Sequence, residues 1–231
     1  LETTRKVYMT KKIIAVDLDG TLLNNESKLS DFTKETIKKI SEKGHHVIIT
    51  TGRPYRMAKD FYRELELHTP MINFNGSLTH LPGQTWEHEK CLTLDKKYLL
   101  DMVKRTEDIQ ADFIAGEYRK KFYITTPNEE IADPKLFGVE NFRPENQFKP
   151  ERVTKDPNCI LLQTRAEDKY ALADEMNRFY QHQLAINTWG GPLNILECTP
   201  KGVNKAFALE YLLNVMNRDK KDLIAFGDEH N

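Results

Sequence analysis

The stretch Ile13-Ile14-Ala15-Val16-Asp17-Leu18-Asp19-Gly20-Thr21-Leu22-Leu23 decides how the chain is read. Four apolar residues run without polar alternation, as in a strand buried on both faces of a parallel sheet, and Gly20 marks the turn that ends them. Two carboxylates separated by a single residue follow directly. In an extended segment side chains two apart point to the same side, so Asp17 and Asp19 are expected to flank one reacting group.

Outward from this strand the pattern is that of an α/β protein. Ser30 is placed to cap a helix carrying Phe32, Ile37 and Ile40 that stops near Gly44, and residues 47–50 form a second apolar strand. Another helix follows Pro54, and residues 71–74 form a third strand ending at Asn75-Gly76. The rhythm then changes. A helix over 95–106 precedes close strands at 112–115 and 122–125, and a Pro-rich irregular region spans 127–157. Next come a strand at 159–163, a helix with Leu172, Met176 and Phe179 on one face, and strands at 184–187 and 193–198 around Trp189-Gly190-Gly191-Pro192. From Lys201 the parallel pattern resumes, with Val203, Ala206, Leu209, Leu213 and Met216 along a helix and a strand at 223–226 ending at Gly227-Asp228. The expected architecture is a doubly wound, mostly parallel Rossmann-like core built from 1–81 and 196–231. An α+β unit is inserted at 82–195.

Composition narrows the function classes. Lys and Arg total 34 against 35 Asp and Glu, a formal net charge of −1 that gives no global attraction to nucleic acid or anionic lipid. The apolar runs are far shorter than the ~20 residues a membrane span needs. Residues 1–10 hold Arg5 and Lys6 but no apolar block after them, unlike a secretory leader. Cys91, Cys159 and Cys198 are odd in number and never form a Cys-x-x-Cys pair, so neither a disulfide framework nor a zinc knuckle is expected, and a reducing cytoplasm fits. Neither Gly-x-Gly-x-x-Gly nor the phosphate-loop lysine motif occurs, which disfavours dinucleotide and nucleoside-triphosphate enzymes.

Ligands of open parallel sheets bind beyond the carboxyl ends of the strands, and the polar residues there are consistent with one another. The first strand delivers Asp17 and Asp19, the second Thr51, Gly52 and Arg53, the last Gly227 and Asp228, while Lys205 lies early in the preceding helix. Asp17 and Asp228 can share a hard divalent ion through oxygen, an arrangement suited to Mg²⁺. The Thr51 hydroxyl, Lys205 and exposed backbone N–H groups can then bind phosphoryl oxygens as charge develops on them.

These residues resemble the haloacid dehalogenase-like superfamily, specifically its Cof-type phosphatases. The four motifs of that family are matched in order by Asp17-Leu18-Asp19-Gly20-Thr21, Thr50-Thr51-Gly52-Arg53-Pro54, Pro200-Lys201-Gly202-Val203-Asn204-Lys205 and Gly227-Asp228-Glu229-His230-Asn231. The resemblance implies that Asp17 is a nucleophile forming an aspartyl-phosphate, and that Asp19 protonates the leaving oxygen and then activates water. It implies Mg²⁺ held by Asp17, the Asp19 backbone carbonyl and Asp228, with phosphate contacts from the Leu18 backbone, Thr51, Gly52, Lys205 and Asn231. The inserted segment looks like the large mixed cap of the type IIB subgroup, and the implied partner is a small phosphorylated metabolite. An acid two residues after the nucleophile points to phosphoesters rather than haloacids, because only a leaving alkoxide needs it.

The family's fourth motif continues with a further Asp, and its core with further elements, so the natural protein is expected to extend beyond Asn231. Two other functions share the motifs: a phosphomutase or phosphotransferase, and a regulatory or stress-related binding protein with little turnover. Arg53 and Asn75 are balanced between shaping the crevice and touching substrate. Trp86, Phe113, Tyr118, Phe122 and Trp189 read as core, not substrate stackers.

Overall fold

A computed structural model of the protein describes residues 11–228. β1 (Ile13–Val16) is buried along its whole length. The Ser30 hydroxyl accepts from the Thr33 N–H and starts α1 (Asp31–Glu42), and Gly44 in the left-handed region follows its end. β2 (His46–Ile49) pairs parallel with β1, placing Val16 opposite Ile49. After α2 (Tyr55–Glu64), β3 (Met71–Asn73) joins β2 through one parallel bridge between Thr50 and Ile72. The chain then reverses at Phe74–Gly76 into β4 (Leu78–His80) and β5 (Lys90–Cys91), an antiparallel edge too short for sequence periodicity to reveal.

The middle of the chain forms its own antiparallel sheet. Its elements are α3 (Lys96–Lys104), β6 (Ala111–Tyr118), β7 (Lys121–Ile124), β8 (Cys159–Thr164), α4 (Lys169–Phe179), β9 (Leu184–Thr188) and β10 (Ile195–Pro200). The strand order is β7-β6-β8-β10-β9. One face packs against the two helices, joining Leu99, Met102, Leu172 and Met176 to Ile114, Ile160, Leu162 and Leu196. Residues of opposite parity, Phe113, Ala115, Leu161 and Ile195, gather on the other face with Phe137, Phe74 and Leu78. The Pro-rich connection contains three short turns beginning at Pro134, Pro144 and Pro150.

The chain then returns to the first sheet. α5 (Lys205–Val215) lays Ala208, Leu209, Leu212 and Leu213 over Ile13, Ala15, Ile48 and Ile72, and β11 (Leu223–Phe226) pairs parallel with β1 on the side away from β2. The result is the α/β class expected, a parallel core with an inserted mixed cap.

Some expected faces turn out differently. Val203 precedes α5 and Ala206 is exposed, so the buried stripe of that helix starts at Ala208. Phe32 is exposed, and Phe179 lies outside the cap core beneath the Arg105 guanidinium, 3.6 Å from its ring centre. Leu193 precedes β10 and is likewise exposed. Among the described residues no helix is long and apolar enough to cross a membrane, and all three cysteines are free thiols.

His80 supplies a test of this packing. Asn73 uses its amide N–H on the Arg53 carbonyl at 2.9 Å, so its oxygen is the acceptor for His80 Nε2–H at 2.8 Å. Burial holds the imidazole's pKa down to about 4; Arg119 and Lys120 add to the shift and Glu89 opposes it. The unfolded ring protonates near 6.5 and the folded one near 4, so acidification between those values favours the unfolded chain. The stability of wild type relative to His80→Gln is therefore expected to be constant above pH 6.5. It should fall by about 3 kcal/mol as the pH drops to about 4, then level off, as read by urea unfolding at each pH.

Candidate active site

The carboxyl ends of β1, β2 and β11 lie side by side because the three strands are paired in parallel register. Asp17 is held there from both sides: its own N–H donates to the Phe226 carbonyl at 3.0 Å, and Thr50 N–H donates to the Val16 carbonyl at 2.8 Å. Beyond Val16 the backbone is extended at Asp17 and again at Asp19, as expected, but the segment does not continue the strand. It makes a wide turn over Leu18–Leu22 in which Leu22 N–H reaches the Asp17 carbonyl and Leu23 N–H the Leu18 carbonyl, with Gly20 at φ 68°. The two carboxylates therefore occupy different surroundings. The Asp17 side chain is 11% exposed and that of Asp19 56%.

Each has its own cation. Asp17 Oδ1 accepts from the Leu18 N–H at 2.7 Å and Oδ2 from Lys205 Nζ at 2.6 Å. Lys205 is the first residue of α5, whose start is fixed by the Asn204 side chain accepting from the Phe207 N–H at 2.8 Å. Asp19 receives the fork of Arg53, Nε at 2.8 Å and a terminal nitrogen at 2.5 Å. Arg53 N–H in turn donates to the hydroxyl oxygen of Thr51, a residue 1% exposed. Gly52 is flanked by the Asn75 amide, 3.1 Å from where a Cβ on Gly52 would sit.

Asp228 completes the group. Its carboxylate rests against Gly20, where a Cβ would collide with it, and a Cβ on Gly227 would lie 4.0 Å from Asp17 Cβ. Asp17, Leu18, Lys205 and Asp228 thus meet around one turn, and Thr51 and Gly52 are tied to that turn through Arg53 and Asp19. Asn231 lies outside the described residues. Asp17 and Asp228, two carboxylates from different strands, offer oxygen donors, which fit a hard cation such as Mg²⁺ that keeps several waters. Among the described residues no group of three or more His, Cys, Asp or Glu side chains is gathered closely enough to hold a metal alone.

Sequence reasoning left out several residues that the fold brings here. Glu197 on β10 is buried and accepts hydrogen bonds from Asn75, Trp189 and Cys159; its burial pushes the carboxyl above the ordinary range. Glu117 on β6 pairs with Arg56, whose guanidinium also donates to the Phe137 carbonyl at 2.8 Å. In sequence, Glu197 is a single carboxylate within a mostly apolar strand, which signals a polar partner on that face. A cavity of about 700 Å³ bounded by Tyr55, His80, Tyr118, Arg119 and Lys120 lies elsewhere, and none of Asp17, Asp19, Thr51, Gly52, Lys205 and Asp228 lines it.

Comparison with known proteins identifies the family and the fold. Residues 14–231 match the family model of haloacid dehalogenase-like hydrolases. The chain is 30% identical over 224 residues to the 5-amino-6-(5-phospho-D-ribitylamino)uracil phosphatase YitU of Bacillus subtilis, covering 95% of this chain and 80% of the relative. It is 28% identical over 237 residues to a putative phosphatase of Metamycoplasma hominis, again covering 95% and 80%. Among solved structures, a Thermotoga maritima protein superposes with a TM-score of 0.77 at 23% identity over 96% of this chain and 81% of that one. A subclass IIB sugar phosphatase superposes with a TM-score of 0.75 at 18% identity over 94% and 81%.

The packing of Asp228 on Gly20 sets a testable limit. Gly20→Ala must displace that carboxylate and also strain a positive-φ position. Hydrolysis of para-nitrophenyl phosphate is expected to fall roughly a hundred-fold, while circular dichroism keeps the wild-type spectrum.

Proposed function

Because the chain belongs to the haloacid dehalogenase-like hydrolases and is a phosphoric-monoester hydrolase, we propose that it works by aspartyl-phosphate chemistry at Asp17 with Mg²⁺ as cofactor. The observation that carries this reading is the Asp17 carboxylate: buried at a strand end, fixed by one N–H and one ammonium, and adjacent to Asp228. A carboxylate so fixed loses little freedom on attack.

In the first half-reaction an Asp17 oxygen bonds to phosphorus as the bond from phosphorus to the leaving oxygen breaks, and Asp19 gives that oxygen its proton. In the second, Asp19 takes a proton from water, the water oxygen bonds to phosphorus, and the acyl phosphate opens to free Asp17 and inorganic phosphate. Lys205, the Thr51 hydroxyl and the backbone N–H groups of Leu18 and Gly52 bind phosphoryl oxygens, joined by Asn231. Asp17, the Asp19 carbonyl and Asp228 would hold Mg²⁺, which would supply positive charge against the repulsion between carboxylate and phosphate. Arg53 keeps Asp19 facing the crevice between turnovers.

The catalytic core in this reading is 1–81 with the segment from α5 onward, and the inserted unit, whose sheet runs on through β10 past the expected boundary at 195, is a cap that selects the leaving group. The substrate is a small phosphorylated metabolite, of sugar-phosphate or phosphoribityl type, the latter by analogy with the B. subtilis relative. The three free thiols support a cytoplasmic setting.

Para-nitrophenyl phosphate is expected to be cleaved only with Mg²⁺, and Asp17→Asn to lower kcat by a thousand-fold or more, on the order of other nucleophile deletions. Acid-quenched enzyme should carry one phosphoryl group on the peptide containing Asp17. An active Asp17→Asn enzyme would refute the assignment, and an inactive wild type would favour a binding protein. Recovery of phosphate on a second hydroxyl, in place of release to water, would mark a phosphotransferase.

A further inference from the structure

The turn behind the phosphate-binding segment is strained. Phe74 and Asn75 each have φ near 51° and Gly76 has φ 109°, three consecutive left-handed residues of which only the last is glycine. A bulky aromatic in that region persists only where its surroundings fix it. The Phe74 ring is buried in the aromatic cluster beneath the cap sheet, and Gly76 lies so close to the Asn204 carbonyl that a Cβ there would collide with it. Between them, the Asn75 side chain has one hydrogen-bonding partner among the described residues: its Nδ2 donates to both oxygens of Glu197 at 3.1 Å. Its Oδ1 is buried without a partner, and both amide atoms lie 3.1 Å from the Cβ position of Gly52. The Asn75 N–H also donates to the Thr51 carbonyl at 3.2 Å. Asn75 is therefore the wall against which Thr51-Gly52 rests, and Glu197 holds that wall.

Glu197 is itself fixed. Trp189 Nε1–H donates to it at 3.2 Å and the Cys159 thiol at 3.7 Å, so all three of its partners are donors. The loop carrying Trp189 is tied down by Lys169, whose ammonium donates to the carbonyls of Trp189, Gly191 and Leu193. β10, which carries Glu197, is the strand through which the chain leaves the cap toward Lys205.

We infer that Glu197 is a positioning residue: from the cap's exit strand it clamps Asn75 and so sets the Thr51-Gly52 segment for binding the phosphoryl group. This rests on the reading of Thr51 and Gly52 as phosphate ligands. The clamp touches neither the metal ligands nor the nucleophile, so it governs affinity for the phosphoryl group more than the chemical step.

Inorganic phosphate as a competitive inhibitor of para-nitrophenyl phosphate hydrolysis reads this directly. Glu197→Gln keeps the volume but turns one acceptor into a donor facing three donors. It should raise both KM and the phosphate inhibition constant about ten-fold, with kcat within about two-fold of wild type, as expected when interactions equal in ground and transition states are lost. Asn75→Ala should do the same, and adding Glu197→Gln to it should change nothing further, because one acts through the other. Additive losses, or a phosphate inhibition constant unchanged in Asn75→Ala, would overturn the inference. The Asn75 variant decides the matter if Glu197→Gln does not fold. Thr51→Ala separates the two readings: if it leaves phosphate affinity unchanged, the phosphate site itself is misplaced. If it weakens phosphate binding while Glu197→Gln and Asn75→Ala do not, the clamp alone is wrong.

Discussion

The contact between Lys205 and Asp17 is the constraint on which the rest of the site depends. Both side chains are nearly inaccessible, so the pair has lost most of its hydration and must recover that cost from close approach and from additional hydrogen bonds. The Leu18 N–H supplies one of those bonds. The partners stand 188 residues apart, and they meet only because β1 pairs with β2 while α5 rests on the same strand through Ile13 and Ala15. An error in strand register would leave two buried charges uncompensated, so the core and the site specify each other.

A second layer surrounds that pair and is mostly neutral. Asn73, itself held by His80, donates to the Arg53 carbonyl, Asn204 caps the helix bearing Lys205, and Asn75 backs Gly52. Neutral amides and a deprotonated imidazole can order a phosphate-binding segment without adding charge that would compete for the anion. The charged groups further out are paired, Arg56 of α2 with Glu117 of the cap sheet and Arg119 with Glu89.

Much of this was legible in the sequence. The unbroken apolar run of β1, the Ser30 cap and the polar residues after each core strand gave the parallel core and most of its strand-end residues, because buried parallel strands and helix caps leave local signatures. The wide turn after Val16 was not legible: Asp17 and Asp19 are extended as their spacing suggests, but the i to i+5 hydrogen bonds that fold the segment back leave no spacing signature. Phe179 and Phe32 misled because period alone does not say which apolar residues a helix buries when a cation can cover one of them. Glu197 and His80 escaped notice for another reason. Asn75 lies 122 residues from Glu197, and no local pattern encodes such a meeting; His80 meets Asn73 across a reversal between strands too short to show a period.

The strand order of the core also has a temporal consequence. Ile13 lies opposite His46 on one side and opposite Leu223 on the other, so β1 acquires its second neighbour only after β11 has left the ribosome. The cap sheet, whose strands all pair within residues 111–200, can be complete before then. During synthesis one side of the catalytic strand is an open edge, a site for mispairing with other nascent chains. Biogenesis therefore puts its greatest exposure on the same segment that later carries the chemistry.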